Sequence, residues 1–204
     1  MTVRRGEPWG GAGALGDDGV IVHSDAEIVR VVTERRRGGL PLPTFGVLGG
    51  DLARTLGGSG DATRLTDPQR ATRVTVDLGV VEFDGGTQYF VAHAVVRRSW
   101  LFGHLSVVAN AQFIGNWDVA PRSHPGDGRL DVLSCTLGVR DRLRARQRLA
   151  SGSHVPHPGI EMRQTAAHVI EVKRPVGLWL DGVRNTRSRR FVFSILPDEV
   201  TVVI

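Results

Sequence analysis

Val74-Thr75-Val76-Asp77-Leu78-Gly79-Val80-Val81, then Asp84-Gly85-Gly86, then the run from Tyr89 to Val96, is the stretch on which the fold turns. A β-branched run, an Asp-Gly turn and an apolar return read as two antiparallel strands joined by a hairpin. Downstream the pattern continues. Residues 105–115, 128–137, 168–172, 177–180, 191–195 and 200–204 are strand-like, with turns at Asp181-Gly182 and Pro197-Asp198. One helix, over residues 141–150, interrupts them. From residue 74 onward the chain therefore reads as an antiparallel β-sandwich domain.

Upstream the period changes. Residues 19–23 form a short apolar strand, and Ser24 or Asp25 caps a helix over 25–37 whose Ile28, Val31 and Val32 recur at i, i+3, i+4. A second short strand spans 45–48, and a helical turn over 51–56 stops at Gly57-Gly58. Strand, helix, strand, helix predicts a piece of parallel α/β sheet. The fold class is then α+β: an irregular segment 1–18, a remnant α/β portion 19–73 and a larger antiparallel β-sandwich domain 74–204.

A chain of 204 residues with 41% hydrophobic and 23% charged residues can bury a good core. The formal charge of +5 is carried by arginine, with Lys173 the only lysine. Arginine binds oxyanions bidentately, and a GC-rich genome gives the same bias. A single cysteine, Cys135, allows no intrachain disulfide and suits a reducing compartment. No apolar run approaches 18 residues and no signal peptide is visible at Met1, so a cytoplasmic protein, peripheral at the inner membrane face, is expected.

Residues 110–133 hold the chemistry-bearing loop. Asn110-Ala111-Gln112 followed by Gly115, then Ala120-Pro121, then Asp127-Gly128 with Leu130-Asp131, presents a carboxylate and open backbone groups between two apolar runs. This order resembles the core signature of the diacylglycerol kinase and bacterial lipid kinase family. Gly49-Gly50-Asp51-Leu52-Ala53-Arg54 with Leu56-Gly57 resembles that family's second nucleotide motif, and Val76-Asp77-Leu78-Gly79 its Val-Asp-Leu-Gly strand. Phe90, His157-Pro158-Gly159 and Asp181-Gly182 also fall in the family's order.

The resemblance implies a nucleotide half and a sandwich half with a cleft between them, and ATP-dependent phosphorylation of a lipid hydroxyl. It implies Asp25, Asp51, Arg54 and Asp77 as nucleotide-cleft residues and Asp181 as the base. It implies Mg²⁺ at Asp127 with the main-chain carbonyls of His124 and Arg129. Departures fall on the nucleotide side. The family's glycine-rich phosphate loop lands on His23-Ser24-Asp25-Ala26-Glu27, where only the aspartate survives. Leu48 and Gly50 replace a Thr and an Asn, and Val183 replaces the Glu of Asp-Gly-Glu. Non-glycine residues at φ > 0 cost about 1–2 kcal/mol each, so activity is expected to be weak or lost. The alternative is a non-catalytic, pseudokinase-like lipid- or partner-binding protein, with a homodimer as one way to complete the cleft.

Other residues carry weaker readings. Arg140, Arg142, Arg144, Arg146 and Arg148 form a solvated helix face or a face that rests, with Arg97, Arg98 and the arginines over 187–190, on an anionic membrane. Nucleic acid is the competing use, but no helix-turn-helix, RNP or zinc-finger pattern is present. His154 and His157 lie in a Ser/Pro/Gly loop without zinc-ligand spacing. Cys135 reads as a buried small hydrophobe.

Overall fold

The computed structural model describes residues 9–204. The irregular segment expected over 1–18 falls partly outside them, and its described part includes a short strand, β1 (Gly10–Ala12). Strand β2 (Val20–Val22), helix α1 (Asp25–Arg37) and strand β3 (Phe45–Val47) follow, with β2 and β3 paired parallel. Helix α1 begins where its caps predict. Ser24 Oγ accepts the Glu27 amide and Glu27 Oε2 accepts the His23 amide, a reciprocal pair of the capping-box kind. Its Ile28, Val31 and Val32 are buried. Two short helices, α2 (Asp51–Thr55) and α3 (Ala62–Leu65), lead into the sheet.

Most of the structure is antiparallel sheet. Its strands are β4 (Thr72–Phe83), β5 (Gly86–Phe90), β6 (His93–Arg97), β7 (Leu105–Ala109), β10 (Leu130–Cys135), β11 (Ile160–Thr165), β12 (Ala167–Leu180) and β13 (Val183–Val203). A separate hairpin, β8 (Phe113–Ile114) with β9 (Trp117–Asp118), lies off it. The main order is β1-β4-β13-β12-β6-β7-β10-β11, with β5 on β4 and β3 parallel to β13.

The sheet packs on itself. Ala94, Val96, Val108, Leu130 and Val132 share one core with Val81, Phe90, Phe191, Phe193 and Ile195 from the β4–β5–β13 end. The alternate residues Val95, Val107, Ala109 and Leu133 point to the opposite face, under β8–β9. Each fully buried Phe contributes about 1.5–3 kcal/mol, and Phe90 also sets a backbone requirement. An added Cβ on Gly79 would lie 2.3 Å from its ring, so the glycine of the Val-Asp-Leu-Gly strand is there to admit Phe90.

Several expected elements are redrawn. The return strand over 89–96 is two strands, because the Val91 and Ala92 amides leave the ladder to bind the Asp181 carboxylate. The break hands the chain from β4, partner of β5, to β12 and β7, partners of β6. The strand over 105–115 stops at Asn110, whose side-chain amide donates to the Asp77 and Val91 carbonyls. Pro197-Asp198 is not a turn but a bulge within the continuous β13, with Asp198 at φ 56°. Cys135 is only half-buried. The expected helix is α4 (Val139–Arg148), followed by a 3₁₀ turn (Leu149–Ser151).

Candidate functional site

The starts of α1 and α2 meet the tip of the β12–β13 hairpin, and this brings Asp25, Asp51 and Asp181 together. Buried Asp25 accepts the amides of Asp51 at 2.6 Å and Leu52 at 3.2 Å, capping α2 from outside. A Cβ on Gly50, which sits at φ 101°, would come within 2.4 Å of Asp25 Oδ1, so glycine is required here for the carboxylate to reach the helix. Asp51 Oδ1 accepts the Gly115 amide at 2.6 Å, and its Oδ2 lies 3.6 Å from His93 Nδ1. Arg54 donates to Gly115 O and Asn116 Oδ1 and stacks 4.5 Å from the Phe113 ring centre. Asp181, at φ 45° in its hairpin, accepts the amides of Val91, Ala92 and His93 at 2.9 Å each.

Crowding acids away from water raises their proton affinity. Asp25 is pushed up to about 7, first by burial and then by the charges of Asp181 and Asp51. Asp181 is pushed up to about 6 by burial, with Asp51 adding to it. Burial also raises Asp51. His93 moves the other way: burial lowers it to about 3, so the imidazole is neutral. The carbonyls of Ala111 and Phe113 lie by its ring, yet its Nε2 has no hydrogen-bond partner among the described residues. His93 was missed in the sequence because one histidine opening an apolar strand carries no spacing signal.

Asp77 faces elsewhere. Its Oδ2 accepts the Gly128 amide at 2.7 Å and its Oδ1 the Asp198 amide at 2.9 Å, so it fixes the 124–128 turn and the β13 bulge. Within that turn Asp127 Oδ1 accepts the Arg129 amide at 2.9 Å, and His124 Nδ1 accepts the Gly126 amide at 3.2 Å. Half-buried Asp127 is pushed up to about 6, by burial and then by Asp131 and Asp77. Among the described residues no three His, Cys, Asp or Glu side chains converge as a metal-binding set. His154 and His157 hold loops: His154 Nε2 bonds Val119 O of the segment after β9, and His157 Nδ1 accepts the Gly159 amide of its own loop.

The outer face of the sheet holds an apolar cavity of about 210 Å³. Val107 and Leu133 form its floor, Ile114 and Trp117 of the β8–β9 hairpin one wall, and Leu143 and Leu149 its roof. The hairpin joins the two regions. Its Gly115 amide binds Asp51, while Ile114 and Trp117 on either side line the cavity. Arg142, expected on a solvated arginine face, is 7% exposed and closes one end of the cavity.

A family model described as "YegS C-terminal NAD kinase beta sandwich-like domain" matches residues 70–204, about two thirds of the chain. Among solved structures, a proposed diacylglycerol kinase from Bacillus anthracis str. Sterne is similar at 14% identity, with a TM-score of 0.68, over 91% of this chain and 77% of that one. A second structure, described in the same way and from the same strain, gives 16% identity and a TM-score of 0.66 over the same shares. A third, described as a diacylglycerol kinase from that strain, gives 16% and 0.61 over 91% and 75%. These likenesses show a shared fold. No curated protein matches.

Proposed function

The chain belongs to the YegS C-terminal NAD kinase beta sandwich-like domain family, and we propose that it binds a membrane lipid in its sandwich half without using ATP. The cavity on the outer sheet face carries this reading. At about 210 Å³ it exceeds the roughly 150 Å³ engineered cavity that takes up benzene. Its lining is almost wholly aliphatic and aromatic, as pockets for apolar ligands are, and it would accept a segment of acyl chain.

The fate of the amide donors supports a non-catalytic, pseudokinase-like role. A helix start binds phosphate through free N–H groups. Here Glu27 and Ser24 take amides at the start of α1, and Asp25 takes two at the start of α2. An incoming phosphate would have to displace carboxylates and then sit beside them. Residues 19–73 read as the remnant of a nucleotide half, since β2, α1 and β3 form a parallel strand–helix–strand unit. The solved structures match 91% of the chain whereas the family match begins at residue 70, so that likeness extends upstream as well.

One observation favours the enzyme as a second reading. Asp25 and Asp181, at about 7 and 6, lie in the range of a general base for a lipid hydroxyl. Against this, Asp181 is committed to three amides. Mg²⁺ would be held at Asp127 with the carbonyls of His124 and Arg129, where it would neutralise charge and order the turn.

Two titrations test the proposal. MgATP is expected to bind more weakly than about 1 mM, a standard free energy near −4 kcal/mol. A fluorescent fatty acid should saturate at one per chain and be lost in Ala145→Trp, which fills the cavity. A micromolar ATP affinity by calorimetry would restore the kinase reading. Fatty-acid binding that is absent, or unmoved by Ala145→Trp, would remove the lipid site.

A further inference from the structure

Among the described residues ten large apolar side chains are exposed, and half of them lie on one face. Trp100, Leu101 and Phe102, at 40%, 41% and 55% exposure, form the tip of the β6–β7 hairpin. Val139 and Leu143, at 48% and 47%, lie four apart on the neighbouring α4 and share one line along it. Scattered exposed apolar residues need no explanation, but a contiguous group marks an interaction surface.

This tip is built to stand out. Arg142 is the one buried side chain of α4, and its guanidinium binds carbonyls of the hairpin tip. Nη2 donates to Gly103 O and Nη1 reaches Trp100 O at 3.4 Å, while Nε donates to Leu137 O at 3.0 Å. One cation thus clamps helix and loop together. Arg97 stacks between Trp100 and Trp179, 4.4 and 3.9 Å from their ring centres, and stiffens the base of the tip.

The charge around the tip selects the occupant. Arg98, Arg140, Arg144, Arg146 and Arg148 are exposed around it, and Asp141 is the only acid on α4. A protein partner's apolar groove would not require this ring of one sign, whereas an anionic bilayer presents lipid phosphates around an apolar interior. We propose that this face docks on an anionic membrane, with Trp100, Leu101 and Phe102 entering the headgroup boundary and the arginines of α4 with Arg98 resting on lipid phosphates. Tryptophan and flanking arginine are the side chains that suit that boundary. Trp100 and Leu101 also line the cavity, so docking would set its mouth against the bilayer. The proposal rests on the lipid function above and gives its ligand a route of entry.

Flotation with vesicles of phosphatidylcholine alone, or with added phosphatidylglycerol, tests it without nucleotide. The full chain is expected to float with phosphatidylglycerol vesicles, less so as salt rises. Phe102→Asp and Val139→Asp alter exposed residues that do not line the cavity. Each should weaken flotation at least about tenfold while circular dichroism and fatty-acid binding stay unchanged. Arg140→Gln and Arg144→Gln should each cost about fivefold. The proposal is overturned if Phe102→Asp floats like wild type, or if the wild-type chain ignores phosphatidylglycerol. It is equally overturned if Phe102→Asp splits a dimer that does not float, since a second copy would then cover this face. Ala145→Trp should still float, so loss of fatty-acid binding without loss of docking would sink the cavity reading alone.

Discussion

The junction of α1, α2 and the β12–β13 hairpin differs from the α4 face in how its polar and apolar groups are spent. At the junction, Asp25, Asp51 and Asp181 accept amides of the chain itself, and Gly50 is shaped to let Asp25 close in. On the α4 face a helix is held by a single buried side chain, a cavity stays open beneath it, and bulky apolar residues face outward. Acids with the look of catalysis accept the chain's own amides, while residues with the look of core are presented to the outside. Acids that cap helices stabilise a fold, and a helix without a buried apolar stripe is free to take a partner.

The sharpest way to break this contrast is to remove one group from each region. Asp181→Ala leaves the Val91, Ala92 and His93 amides without their acceptor. At about 1–3 kcal/mol for each unsatisfied group, the loss should exceed about 3 kcal/mol. The midpoint should then fall by roughly 6–12 °C for a chain of this size. Val139→Ser, at the exposed start of α4 and away from the cavity, should stay within about 0.5 kcal/mol. Urea unfolding of both variants decides it. Comparable losses would mean that α4 is as tightly integrated as the junction.

The second test is pH. Asp25 and Asp181 have folded-state values of about 7 and 6, above the ordinary carboxylate value of 3.8. The folded state therefore binds their protons more tightly than the unfolded state does. Their contribution to stability is greatest below about pH 4 and declines as pH rises through about 7, above which both are ionised and crowd Asp51. Above about pH 6.5, where unfolded histidine no longer takes the proton that buried His93 refuses, thermal midpoints should fall towards pH 8 in wild type, and Asp25→Asn should flatten that fall. A profile that rises over that range, or one unchanged by Asp25→Asn, would show that the junction's acids are not strained.

How much of this was legible follows from the range of the interactions. Helix α1 was readable to its ends, since Ser24 and Ile28, Val31 and Val32 act within a few residues. The turns at Asp84-Gly85 and Asp181-Gly182 were readable for the same reason. The break at Val91-Ala92 was not, because its cause, Asp181, lies about ninety residues away. The bulge in β13 was hidden in the same way, its Asp198 amide bound by Asp77. Arg142 looked like its four neighbouring arginines, and only the carbonyls of the hairpin tip distinguish it. Motif order grouped Asp25, Asp51 and Asp77 along one cleft and gave Asp181 and Asp127 roles of their own, whereas the fold sets Asp181 beside Asp25 and Asp51 and hydrogen-bonds Asp77 to the turn that holds Asp127.

Asp127 supplies the smallest effect and the finest test of the contrast. Asp77 spends both carboxylate oxygens on amides, as the junction acids do, whereas Asp127 is half-buried and meets the chain through Oδ1 at the Arg129 amide. A cation at its other oxygen would add a charge that Asp127, pushed up to about 6 beside Asp131 and Asp77, is poised to receive. Ligand that binds only the folded state stabilises it by RT ln(1 + [L]/Kd), so Mg²⁺ at about ten times Kd should add about 1.4 kcal/mol. That corresponds to a rise of roughly 3–6 °C in midpoint. Asp127→Asn should remove the rise while Asp181→Asn, at the junction, leaves it intact. The rise should also shrink below about pH 6, where protons compete for the carboxylate. If wild type melts alike in EDTA and in excess Mg²⁺, Asp127 is one more carboxylate spent on its own backbone, as Asp77 is.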